Sequence, residues 1–307
     1  METLQKFFKH FFGQADPNGP YEFKNFTLAH FLPILVAAGV IFLIFKFRHK
    51  FADYKHEDRI RMGLAFALII TEMSYFWRLV GVPSLNANPY EHLPITVCGW
   101  AIVFGSFLLL TKSQTLYDIC YFWVFAGTIF ALITPTVINF TGPTRFRYYQ
   151  FWCEHLLGYV AVFYMTFVHK MRPRVKSIFK SYAFLAVLGG VAIFANLLLD
   201  SYPIESYKHD AANYLFMAKG EAQSPILEIL PKNYVVRVIV MASVVALLFF
   251  VSYLPWLIMD RKQKLALAAE APISAEAPEA DAVSEEAPAK DEGTEADAEI
   301  EEPAIVG

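Results

Sequence analysis

Seven stretches of this chain are apolar for long enough to cross about 30 Å of hydrocarbon at 1.5 Å per residue. They run Phe26–Phe45, Ile60–Val82, His92–Leu110, Leu116–Ile138, Phe151–Val168, Tyr182–Leu199 and Tyr234–Ile258. In lipid every backbone N–H and C=O must find its partner inside the protein, so such segments fold as helices. The expected fold class is all-α: a polytopic membrane bundle of seven transmembrane helices in the cell membrane. Composition agrees, with 56% hydrophobic residues and 29 Phe among 307 residues.

Basic residues set the expected orientation. Lys46, Arg48, Lys50, Lys55, Arg59 and Arg61 follow the first span, Lys170, Arg172, Arg174, Lys176 and Lys180 the fifth, and Arg261, Lys262 and Lys264 the seventh. The alternate links are poorer, 83–91 having no Lys or Arg and 139–150 only Arg145 and Arg147. The positive-inside tendency puts the N-terminus outside and the C-terminus in the cytoplasm. Residues 1–25 read as an interfacial segment, because Phe7, Phe8, Phe11 and Phe12 alternate with Lys6, Lys9 and His10 at helical spacing. No cleavable signal peptide is expected there. The transmembrane domain is 26–260, with residues 200–233 expected to fold as a lid on its outer mouth. The last stretch, 268–307, has thirteen Asp/Glu against the single Lys290, so it carries −12 and the rest +9 of the net −3. Its A-E-A-P pattern without aromatics predicts a disordered cytoplasmic tail.

The polar residues inside the spans are the candidates for function. Glu72 lies well inside the second span and Arg78 near its outer end; ionisable groups at such depth usually face the bundle interior. Leu93-Pro94 is expected in the first turn of the third span, with Cys98 about 9 Å below its outer start. Pro135 should kink the fourth span, Thr134 and Thr136 satisfying the freed backbone. Glu154 and His155 fall about a turn, some 6 Å, into the fifth span. Asp118 reads as an N-cap or first-turn acid at the cytoplasmic end.

Cys98, His155, Glu72 and Thr134 thus share the outer half of the membrane, and no comparable set is expected in the inner half. A buried cysteine is more often a small hydrophobe than a reagent, and a lone histidine more often structural. Together they meet the minimum for thiolate chemistry: a base takes the thiol proton, the thiolate attacks a carbonyl, and a carboxylate such as Glu72 or Glu154 orients the imidazole. Phospholipid ester carbonyls lie at this depth. A metal site built from Cys98, His155, Glu72 and Cys153 lacks any close ligand pair, so no metal and no cofactor is expected. Cys98, Cys120 and Cys153 imply no disulfide framework. The basic links read as contacts to phospholipid headgroups, with no nucleic-acid partner.

Taken in order, T-E-M-S-Y-F-W-R-L, H-L-P-I-T-V-C-G, G-T-I-F-A-L-I-T-P, F-W-C-E-H, A-N-Y-L-F-M and S-P-I-L-E-I-L-P resemble the YwaF-like bacterial integral membrane proteins, relatives of the animal transmembrane protein 164. The resemblance covers about Ile60 to Ile258. It implies an acyltransferase moving fatty acyl chains between phospholipids, with Cys98 as nucleophile and His155 as its histidine. Glu72, Thr134, Asn213 and Tyr214 also fall on matching positions. Thr96-Val97 stands where His-Leu is common, which places more weight on His155. The competing expectation is a non-catalytic binding or transport protein with Glu72, Arg78 and Asn213 lining a polar cavity.

Overall fold

A computed structural model describes residues 1–14, 22–88, 92–135, 138, 141–201, 213–217 and 229–270, and every regular element among them is helical. The helices are α1 (Glu2–Phe12), α2 (Leu28–Lys46), α3 (Arg48–Ala52), α4 (Glu57–Gly81), α5 (Val97–Thr111), α6 (Gln114–Ile133), α7 (Phe146–Phe167), α8 (Val175–Ser201) and α9 (Tyr234–Glu270). The chain divides into a unit of residues 1–262 and a second of 263–307, of which only the end of α9 is described. The acidic tail beyond Glu270 and most of the expected lid lie outside the described residues.

Each expected span contains a helix, and five of these (α2, α4, α6, α8 and α9) are long and apolar enough to cross a membrane. The other two differ for separate reasons. α5 is apolar but has only 15 residues, about 22 Å of helix. α7 has 22 residues but carries Arg147, Gln150, Glu154 and His155. Both lie inside the bundle, where neighbours rather than lipid receive their polar groups: α5 packs against α4, α6 and α7, and α7 also packs against α2.

The core fills this interior with Leu68, Ile102, Leu108, Tyr117, Phe122, Trp123, Val162 and Met165, all buried. Polar side chains attach the outer helices. On α2, His30 accepts from Phe26 N (2.9 Å) and donates from Nε2 to the Leu132 carbonyl (2.7 Å), while Tyr148 OH donates to Ala29 O (2.5 Å). Trp123 Nε1 reaches Ser181 O of α8 (3.2 Å). On α9, Ser252 O accepts from Tyr121 OH (2.8 Å), which accepts from Trp256 Nε1 (2.9 Å).

Four expectations change. The third span begins later, with Thr96 as N-cap accepting from Gly99 N at 3.1 Å, so Leu93-Pro94 precedes the helix and Cys98 lies in its first turn. Pro135 does not kink α6, because the helix has already ended at Ile133 with Thr134 as its cap; Thr136 is outside the described residues. Asp118 is not an N-cap, since Ser113 holds that position; its carboxylate instead pairs with Lys180 (2.7 Å) and accepts from Gln114 (2.7 Å). The basic end of the bundle does contain a polar cluster. There Glu57 accepts from Tyr164 OH (3.0 Å), His169 Nε2 (2.8 Å) and Arg61 Nε (3.2 Å), and Arg61 also donates to the C-terminal carbonyls of α5 at Leu109 and Leu110. A helix leaves its last carbonyls without intrahelical partners, and this arginine supplies them.

Two further arginines do the same for α1. Arg78 donates to Phe12 O (2.8 Å) and Gly13 O (2.9 Å), and Arg145 donates to His10 O (3.1 Å) and Gln14 O (3.2 Å). α1 buries no residue and exposes Leu4, Phe7 and Phe8, so its attachment is largely these bonds plus the Phe11 and Phe12 rings against Phe146. Arg145 also holds Glu22 in two bonds, 2.8 and 2.7 Å. Burial alone would raise the Glu22 pKa, but the bonds from Arg145 and Thr144 and the arginine charge outweigh it and hold the carboxyl below the usual range. A depressed carboxylate stabilises the fold above its unfolded-state pKa, and that contribution disappears as pH falls through the folded value. Glu22→Gln should therefore cost about 1–2 kcal/mol at pH 7, with the difference from wild type shrinking as pH falls through and below the ordinary carboxylate range, read as melting temperature in detergent against pH. An unchanged gap at low pH would show that the charge is not involved.

Candidate functional site

The site begins at the break before α5. From His92 to Thr96 the chain is not helical, and its polar backbone is taken up locally. Leu93 N donates to Tyr214 OH (3.0 Å), Ile95 N to Leu93 O (2.7 Å) and Trp100 Nε1 to Pro94 O (2.8 Å). Tyr214 is itself fixed by Asn196 of α8, which accepts from Tyr214 N (2.8 Å) and donates to Tyr214 O (3.2 Å). Asn213 opens the short 3₁₀ turn Tyr214–Phe216, whose Leu215 and Phe216 have left-handed φ values of 55° and 57°. Segment 213–217 therefore braces the approach to Cys98, packing with Ile95 on Ala192 and Ala195.

Cys98 is partly buried, and its thiol faces the Gly127 carbonyl of α6 at 3.8 Å. Three glycines let the helices approach here. A Cβ on Gly127 would meet Val97 Cγ1 at 2.7 Å, one on Gly158 would meet Val124 Cγ2 at 3.1 Å, and one on Gly99 would fall 2.7 Å from Glu72 Oε1. The Glu72 carboxyl thus lies against the first turn of α5, beside Cys98, where backbone N–H groups favour negative charge. Glu72 is buried, and its carboxyl has no hydrogen-bond partner among the described residues.

From α7, Glu154 accepts from Gln150 Nε2 (2.9 Å) and Arg147 (3.3 Å), and Gln150 also accepts from Arg147. The Arg147 guanidinium lies over the Tyr75 ring at 4.7 Å. Both carboxyls, Glu72 and Glu154, are within electrostatic range of the Cys98 sulfur, and Arg147 is within range of both Glu72 and His155. His155 is buried with its ring 4.2 Å from that of Phe151. Its Nδ1 donates to Phe151 O (2.8 Å), which leaves Nε2 as the acceptor in the neutral ring.

The thiol and the imidazole are not hydrogen-bonded to each other. With α7 starting at Phe146, His155 is about 13 Å along its helix rather than one turn in. Thr134 Oγ1 donates back to Phe130 O (3.3 Å), closing α6. Arg78 is committed to α1. Cys120 is fully buried and Cys153 exposed. Arg147, Gln150 and Tyr75 were not picked out from sequence, although the i, i+3 and i, i+7 spacing of Arg147 to Gln150 and Glu154 on α7 was there to see; Tyr75 comes from α4 and gave no such signal. No group of three His, Cys, Asp or Glu side chains converges among the described residues as a metal ion would require.

Buried ionisable residues from α4 and α7 meeting a thiol at an interrupted, apolar helix describe a helical integral membrane protein with a polar centre inside the bundle. The sequence model of the TMEM164 family matches residues 25–253, and the chain belongs to that family. It is also similar to an uncharacterised protein of Treponema pallidum (strain Nichols), 26% identical over 238 residues that cover 76% of this chain and 90% of the relative. No solved structure matches.

The glycine notches give a direct test. Gly127→Ala sets a methyl against the stiff β-branched Val97 and should lower stability by about 1–3 kcal/mol, whereas Gly63→Ala, with nothing within 4 Å, should be neutral or raise it. Melting temperatures of the two variants in detergent measure the contrast, and equal values would contradict the packing described.

Proposed function

We propose that this protein is a seven-span membrane enzyme, N-terminus outside and C-terminus in the cytoplasm, that transfers or hydrolyses fatty acyl chains of phospholipids. Cys98 is the nucleophile and His155 the base. The sulfur gives up its proton to Nε2 of His155 and attacks the ester carbonyl, forming a thioester. The ester C–O bond breaks, and the departing alcohol takes the proton back from the imidazolium. An acceptor hydroxyl or water then attacks the thioester, its proton passing to His155 as the thiolate leaves. Glu154, held by Arg147 and Gln150, favours the imidazolium, and Glu72 lies against the first turn of α5 beside the sulfur.

The observation that carries this reading is the convergence of Cys98, Glu72 and Glu154 from three helices on the first turn of α5. Family membership and the free acceptor nitrogen of His155 support it. The thiol and imidazole must close up around a substrate, since they do not bond directly in its absence; such contacts commonly tighten only on binding. The seven-span topology is supported by the interior position of α5 and α7, where neighbouring helices rather than lipid surround a short helix and a polar one.

In vesicles of phosphatidylcholine carrying isotope-labelled acyl chains, Cys98→Ala and His155→Ala should each reduce acyl movement by at least about 100-fold without loss of melting temperature. Full activity in both folded variants would end the proposal. A lipid-like thiol reagent provides a second arm. Because Cys153 is exposed and would react by access alone, the comparison is made in Cys153→Ala protein, where Cys98 should label well ahead of Cys120.

A further inference from the structure

A cleft of about 280 Å³ opens at the basic end of the bundle, away from Cys98. Its walls come from the junction of α2 and α3 (Phe45, Arg48), the end of α7 and the turn after it (Phe167, Lys170, Arg172), and Trp256 of α9. We propose that this cleft binds one anionic phospholipid, with Arg48 and Lys170 on its phosphate and the acyl chains against Phe45, Phe167 and Trp256.

The charges point to an anion. Arg172 is paired with Asp260 and lies 5.8 Å from the Trp256 ring. Arg48 and Lys170 have no carboxylate partner among the described residues, although both line the cleft. Arg48 donates to Phe45 O (3.0 Å) and stacks over the Phe45 ring at 4.6 Å, which fixes its guanidinium while leaving other N–H groups to donate. Lys170 occupies a left-handed turn (φ 55°), so its backbone is committed to this geometry just past the end of α7.

The walls point to a lipid rather than to a soluble anion. Phe45, Phe167 and Trp256 present hydrocarbon, and an inorganic ion gains nothing from them. The cleft lies at the end of α2, a helix long and apolar enough to cross a membrane, and basic residues at such a helix end are attracted to anionic lipid headgroups. The chain's own acidic segment supplies carboxylates but no long alkyl groups. This site is independent of Cys98 and of the acyl-transfer reading.

Trp256 makes the test direct. Full-length protein is placed in phosphatidylcholine nanodiscs containing increasing fractions of dibrominated phosphatidylglycerol or dibrominated phosphatidylcholine, since bromine quenches tryptophan only on contact. Trp256→Phe protein identifies the Trp256 share of the signal. That share should be quenched at a roughly tenfold lower mole fraction of the anionic lipid, and Arg48→Gln with Lys170→Gln should erase the difference. Equal quenching by both lipids in wild type, or a preference untouched by the double variant, would overturn the proposal. Relief of quenching by millimolar inorganic phosphate would also overturn it, in favour of a simple phosphate site.

Discussion

The arrangement of this protein depends on one constraint: lipid offers no hydrogen bonds, so a helix may be interrupted at membrane depth only where protein supplies them. The non-helical stretch before α5 exposes backbone between His92 and Thr96, and its partners come both from the start of α5 and from a distant segment. Thr96 caps the helix, Trp100 reaches back to Pro94, and Tyr214 arrives from the far side of α8 to take Leu93 N. With that backbone satisfied, the first turn of α5 can lie inside the bundle with Cys98 on it and the Glu72 carboxyl against Gly99.

The same problem recurs at the C-termini of α1 and α5, and arginine answers it at both. Arg61 covers the end of α5, while Arg78 and Arg145 cover the end of α1. A guanidinium carries five donors in a fixed fork, so one side chain can serve two carbonyls and an acid together, as Arg145 does with Glu22. Charges that look costly in an apolar sequence are thus placed where backbone oxygens lack partners.

Much of this was legible in the sequence, and the failures follow a pattern. Hydropathy located a helix in each of the seven apolar stretches, because apolar length is local information, but it gave no sign of the short α3 in the basic link. It could not place the start of α5, since Leu93-Pro94 reads equally well as a first turn and as an approach held by a tyrosine 121 positions later. Arg78 showed its depth in the sequence but not its partner, because carbonyls at the end of another helix leave no trace in composition. The cluster around Glu57 escaped notice for a similar reason: Arg61 is one turn away on the same helix, but Tyr164 and His169 come from the far end of α7 and the turn after it, more than a hundred residues on. Cys98 and Glu72 were recognisable as unusual, but their adjacency rests on Gly99, whose missing side chain is what makes room.

The tie between Leu93 and Tyr214 bears on how the molecule is made. Four helices, α5 to α8, leave the ribosome between these two residues. Until segment 213–217 arrives and locks onto Asn196, Leu93 N lacks its acceptor and the start of α5 is unsealed. A nascent chain that has reached only α7 already holds Cys98, Glu72, Glu154 and His155, yet the turn that leads into their helix still waits for a residue more than a hundred positions downstream.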